Sequence, residues 1–230
     1  MIILTTSKCH LFGHPEFIAQ LNDSQILAMD AQPILQYLEE QVSHGVKFLE
    51  GQTFQIGWMV VKFKLTERGL LGLNEPDMSE IPIRFVNSLS NTIHHLRLQK
   101  DVAESIGVEP RFPTILQSAL KCSRYDDNSE FFMDRADPVQ NDSGWFFGCT
   151  NPHHDHNDPS TLLRVSLYEL ACSRDSIIPF VALPPGFLVK AGGTSIQISQ
   201  RGIPCELKPG SFLDLKLRKG RGEGSLGDNL

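Results

Sequence analysis

A break near residue 110 constrains this chain more than any other feature. Gly107 is a natural helix stop, and Pro110 and Pro113 lack the amide that a helix needs to continue. Before the break, apolar residues recur at long, largely helical spacings. After it, short apolar runs alternate with tight turns. A chain of 230 residues suits one large domain or two small ones, and this change of style favours two. The sequence therefore predicts an α+β protein in two domains. Residues 1–112 would pack two helices on a small sheet, and residues 113–215 would form a mostly antiparallel sheet with a short helix. Glycine and charge dominate residues 216–230, which predicts a flexible tail.

Residues 1–30 show no firm periodicity. Over residues 31–49, Ile34, Leu35, Leu38, Val42, Val46 and Leu49 recur at three- and four-residue steps, with Glu39 and Glu40 off the stripe. That spacing predicts an amphipathic helix starting near Asp30 with Pro33 in its first turn. Residues 53–65 are apolar on both alternating faces and predict one strand buried on both sides, with turns at Gly69 and Gly72. Val86, Leu89, Ile93, Leu96, Ala103 and Ile106 mark a second helix over residues 85–106, with His94 and His95 at its polar edge.

Beyond the break, residues 115–124, 130–133 and 144–149 read as strands of an antiparallel meander, with a turn at Asp126-Asp127-Asn128. Pro152 and Pro159 bracket an irregular loop. Ser166 and Glu169 have capping-box spacing, which predicts a short helix over residues 167–174. Residues 187–190 and 194–200 predict a hairpin around Gly192-Gly193.

With 40% hydrophobic residues a core can be built, and no apolar run approaches the roughly 20 residues of a membrane helix. The start lacks the pattern of a secretory signal, so the cytoplasm is the expected location. The net charge of −6 argues against nucleic acid as a partner. Residues 126–158 hold eight acids and one base, Arg135. Such a window is either a solvated face or a docking surface for a basic partner. The five cysteines are scattered and never in C-x-x-C spacing, so no disulfide framework, cysteine metal site or cofactor is expected.

Candidates for chemistry are few. His153, His154, Asp155 and His156 are all possible metal ligands, but the run is contiguous and matches no metalloenzyme pattern. No nucleophile elbow and no phosphate loop is present. In Asp142-Ser143-Gly144-Trp145-Phe146-Phe147 the first three residues supply a turn. Trp145 and Phe147 then face one side of a strand and Phe146 the other.

That D-S-G-W element, the acidic loop after it, Leu167 to Leu170 and Asp175-Ser-Ile-Ile-Pro179 resemble, in order and spacing, the immunity protein 33 family of bacterial toxin systems. The likeness covers residues 117–189. Residues 55–58, Gln-Ile-Gly-Trp on a strand, with Leu73, Glu75 and Pro76, are similar to a companion domain found ahead of this module. The chain departs from the usual module where histidines replace part of the acidic loop.

The resemblance implies a non-enzymatic immunity protein that binds a secreted antibacterial toxin and shields the producing cell. Type VI secretion is the implied setting, and a cytoplasm-acting nuclease the implied toxin. Asp126, Asp127, Asp142, Asp155 and Asp158, with His154 and His156, are the expected partner-binding residues. Ser143, Gly144, Trp145 and Phe147 are expected to shape the platform. The rival readings are a metal-dependent hydrolase built on residues 153–156 and a regulatory scaffold that binds a host protein.

Overall fold

A computed structural model describes residues 1–193 and 195–220. It is an α+β fold with two mixed sheets, and the chain divides into two compact units, Met1–Arg97 and Leu98–Leu230. The division falls within a helix, upstream of the proline pair that signalled a boundary in the sequence.

The first unit opens with β1 (Ile2–Thr5) and β2 (Phe17–Leu21) in the region where the sequence showed no periodicity. Their burial does alternate, but over only four and five residues, which is too short a run to stand out. Helix α1 spans Ala28–Ser43. It begins earlier than the spacing suggested because the Asp30 carboxylate caps the Leu27 amide at 2.8 Å. It also stops earlier. Gly45 turns the backbone to φ +87°, and Val46 and Leu49 continue the periodicity only on paper, being 40% and 60% exposed.

The expected single strand over residues 53–65 is a hairpin. Strands β3 (Thr53–Ile56) and β4 (Met59–Leu65) join through Gly57 at φ +60° and Trp58. Trp58 is fully buried, so the apolar alternation runs unbroken through the turn. Gly72, expected in a turn, lies inside β5 (Leu71–Pro76), paired on one side with Ile18 and on the other with Lys64. A two-residue strand, β6 (Phe85–Val86), pairs with the end of β5. The main order is β1-β2-β5-β4-β3, and β2 and β5 are parallel.

Ala31, Leu35, Leu38 and Val42 of α1 close one face of this sheet, packing in one core with Phe17, Leu21, Val61, Phe63 and Leu73. Helix α2 (Ser90–Ser105) starts where Glu75, itself buried, accepts from the Thr92 amide at 2.7 Å and its hydroxyl at 2.8 Å. An acid there also complements the helix dipole. His95 is not at a polar edge. It is buried and accepts from the Trp58 indole at 3.3 Å.

The second unit holds β7 (Ser118–Cys122), β8 (Phe131–Arg135), β9 (Asp142–Cys149), β10 (Leu162–Ser166), α3 (Leu167–Ser173), β11 (Phe187–Gly192), β12 (Ser195–Gln200), β13 (Ile203–Pro204) and α4 (Phe212–Gly220). The strand order is β10-β7-β9-β8-β11-β12-β13. It is not a simple meander, because β7 and β9 run parallel while the other neighbours are antiparallel. Ser166 and Glu169 do form the capping box at the start of α3. The expected tail is corrected at its front. Residues 216–220 are helical, since Leu213 is buried and Arg218 pairs with Asp214 one turn away at 2.9 Å. Residues 221–230 lie outside the described residues, as does Thr194.

Candidate functional site

The parallel pairing of β7 and β9 builds the site. Leu120 lies opposite Phe146 and Lys121 opposite Phe147, so Cys122 and Cys149 end neighbouring strands at one end of the sheet. Phe131, the first residue of β8, is opposite Cys149. The connections 123–130 and 150–161 therefore emerge side by side. The Ser123 amide joins them by donating to the Thr161 carbonyl at 2.7 Å.

Arg174 clasps the first connection from below. Its guanidinium lies 4.5 Å from the Tyr125 ring centroid and 4.9 Å from that of Phe131. It also donates to the Asn128 carbonyl at 2.8 Å and the Tyr125 carbonyl at 3.2 Å.

Four of the five singled-out aspartates sit on these two connections. Asp126 and Asp127 form an exposed 3-10 turn, and Asp126 pairs with Lys121 at 2.6 Å. Asp155 and Asp158 are exposed on the second connection. Asp155 accepts from the Asn157 amide, and Asp158 starts a 3-10 turn by accepting from the Ser160 amide, both at 2.9 Å. The Ser160 hydroxyl and amide hold the Asp158 carboxyl below the usual range, so it stays charged.

Asp142 is elsewhere. It begins β9, a full strand from the others, which is about 25 Å at the usual rise. There it accepts from the Gly144 amide at 2.8 Å and pairs with Arg164 at 2.5 Å.

His154 and His156 do not point outward beside the acids. Both are half-buried, their rings perpendicular with centroids 4.8 Å apart. His156 packs edge-on against Phe132 and Phe146, at 5.3 and 5.8 Å between centroids. Its Nε2 is 3.6 Å from Cys149 Sγ. Burial, and then the neighbouring His154, lower its pKa.

One ligand atom each from Cys122, Cys149, His154 and His156 falls within 4.8 Å of all the others. His153, which the rival hydrolase reading grouped with His154, Asp155 and His156, is exposed. A second grouping, Cys9, Glu16 and Glu39, lies in the first unit. There the Glu16 oxygens are already engaged by the Thr6 hydroxyl at 2.5 Å and by the His10 amide and ring at 2.9 and 2.8 Å.

The D-S-G-W residues form a rigid support. Ser143 is fully buried and donates to the Ser118 carbonyl at 2.8 Å, tying β9 to β7. Gly144 adopts φ +78°, and a Cβ there would stand 2.2 Å from the Ala136 carbonyl oxygen. Trp145 and Phe147 are buried on one face, while Phe146 is half-buried on the other. The Trp145 indole donates to the Val181 carbonyl at 2.9 Å.

Arg135, which the sequence offered only as the lone base in an acidic window, is buried behind this support. It donates to the carbonyls of Leu183, Arg111, Val181 and Ser143 at 2.5, 2.7, 3.3 and 3.3 Å. Burial, with Arg111 nearby, lowers its pKa to about 10. No spacing rule marks such a residue; an arginine beside the first turn of an apolar strand was the sole signal.

Residues 98–198 match the family model described as the Imm33-like domain. No curated protein and no solved structure matches the chain. The match covers the parallel strand pair, the D-S-G-W support and both acidic connections, so residues 98–198 of this chain are similar to an Imm33-like domain.

Proposed function

We propose that this chain is an immunity protein that binds and neutralises a cognate antibacterial toxin. The observation that carries the reading is the position of Asp126, Asp127, Asp155 and Asp158 at one end of the sheet, inside the Imm33-like match. These exposed carboxylates form a negative surface on a rigid base. A nuclease presents a basic cleft that binds phosphates, and such a surface occupies it as a substitute polyanion. The proposed partner is therefore a cytoplasm-acting nuclease, delivered by type VI secretion between related bacteria.

A stable complex buries about 1,200–2,000 Å² in total. The two connections supply its charged centre, and neighbouring exposed surface supplies the rest. Asp142, a strand's length away and engaged by Arg164, serves the fold. No catalytic role is assigned to the site. The experiment is protection in cells. The toxin gene encoded beside this one is expressed with and without the chain, and growth should be restored only when the chain is present. Equal killing in both cultures would reject the reading.

A further inference from the structure

Cys122 and Cys149 have no part in the toxin-binding reading, yet they converge with His154 and His156, which the sequence placed among the partner-binding residues. Two come from the ends of paired strands and two from the connection that follows β9. Both thiols are buried, and the cysteines are free. His154 Nε2 is buried with no hydrogen-bond partner among the described residues. A buried imidazole nitrogen left unsatisfied costs free energy unless something binds it.

Backbone amides also point at sulfur. The Cys149 amide donates to Cys122 Sγ at 3.3 Å, and the Arg124 amide approaches the same atom. Such donors steady a metal-bound thiolate. A tetrahedral zinc ion, with Zn–S about 2.3 Å and Zn–N about 2.0 Å, holds its ligand atoms about 3.3–3.8 Å apart. The four atoms here lie within 4.8 Å of one another, so a contraction of at most about 1–1.5 Å between any pair closes the shell.

We propose that these four residues form a structural zinc site of Cys2His2 type. Binding displaces the two thiol protons to solvent, and the neutral imidazoles bind through their lone pairs. Four protein ligands fill a tetrahedral ion and leave no position for a reactive water, so the site holds structure and does not hydrolyse. Two of its ligands flank Asp155, so the ion fixes the acidic connection to the sheet. The proposal does not rest on toxin binding, because zinc content is a property of the chain alone.

The test is elemental analysis of untagged full-length chain purified without chelator. About one zinc per chain is expected, falling at least fivefold in Cys122→Ser and in His154→Asn. Cys205→Ser and His153→Asn should retain it. Should the ligand variants fail to fold, wild-type chain stripped and reloaded with cobalt gives the answer. Tetrahedral d–d absorption together with thiolate-to-cobalt charge transfer supports the site, and an octahedral spectrum without charge transfer overturns it. Stripping should also lower the melting temperature by about 5 °C or more. Wild-type chain with negligible zinc, or zinc that survives both ligand substitutions, contradicts the proposal. So does a Cys122–Cys149 disulfide in protein kept under reducing conditions.

Discussion

The Arg135 guanidinium lies 5.4 Å from the centroid of the Trp145 ring, and both side chains are buried. The arrangement is a charge held without a carboxylate. Backbone carbonyls from three separate stretches of chain take its protons, and the indole face covers it. Arg135→Met fills the volume but strips donors from those carbonyls. The expected loss is about 2–4 kcal/mol of stability, read by urea unfolding. Arg135→Lys should recover only part of it, because one ammonium cannot reach all the acceptors.

Gly144→Ala tests the turn beneath the strand. The left-handed backbone costs about 1–3 kcal/mol for a residue other than glycine. Relieving a Cβ placed 2.2 Å from the Ala136 oxygen costs a further amount of about 1–3 kcal/mol. The variant should melt well below wild type by circular dichroism. An unchanged melting temperature would mean that this turn is not formed as described.

Legibility from sequence followed the range of the interactions. The capping box of Ser166 and Glu169 spans four residues and was readable, as was the alternation of Trp145 and Phe147. The hairpin at Gly57 was hidden because buried Trp58 carries the apolar pattern through the turn. The end of α1 was hidden because Val46 and Leu49 extend a periodicity that the backbone abandons at Gly45. In the site, the acids could be named from their density. Their separation into four at one end and Asp142 at the other depends on the parallel pairing of β7 and β9. That pairing joins residues 27 apart, such as Cys122 and Cys149, and no local pattern encodes it. The same fact concealed the Cys–His convergence, whose thiols have no motif spacing.

His95 gives the first unit a defined acid limit. Burial, and then the neighbouring His94, lower its pKa from 6.5 to about 3. It stays neutral in the folded chain across that interval, while the unfolded chain takes up a proton. Stability is therefore full above about pH 6.5 and falls as pH drops toward 3. The loss should be on the order of 3 kcal/mol, measured by denaturant unfolding at stepped pH. His95→Gln should be less stable at neutral pH but flatter across this window. A wild-type curve without slope there would contradict the neutral buried imidazole.

Charge reversal separates the two ends of the sheet. Asp126→Lys with Asp127→Lys, or Asp155→Lys with Asp158→Lys, should slow association with the neighbouring toxin about tenfold or more at low salt. Added salt should shrink the difference. Asp142→Asn should leave the association rate alone and lower stability, since its partners are Arg164 and the Gly144 amide. Stopped-flow association in a salt series reads both effects.

The most direct measurement is calorimetric titration of the full chain with the toxin encoded beside it. Tight one-to-one binding, with a Kd well below micromolar, is the expected result. Failure to bind at micromolar concentrations of folded, active toxin would contradict the account.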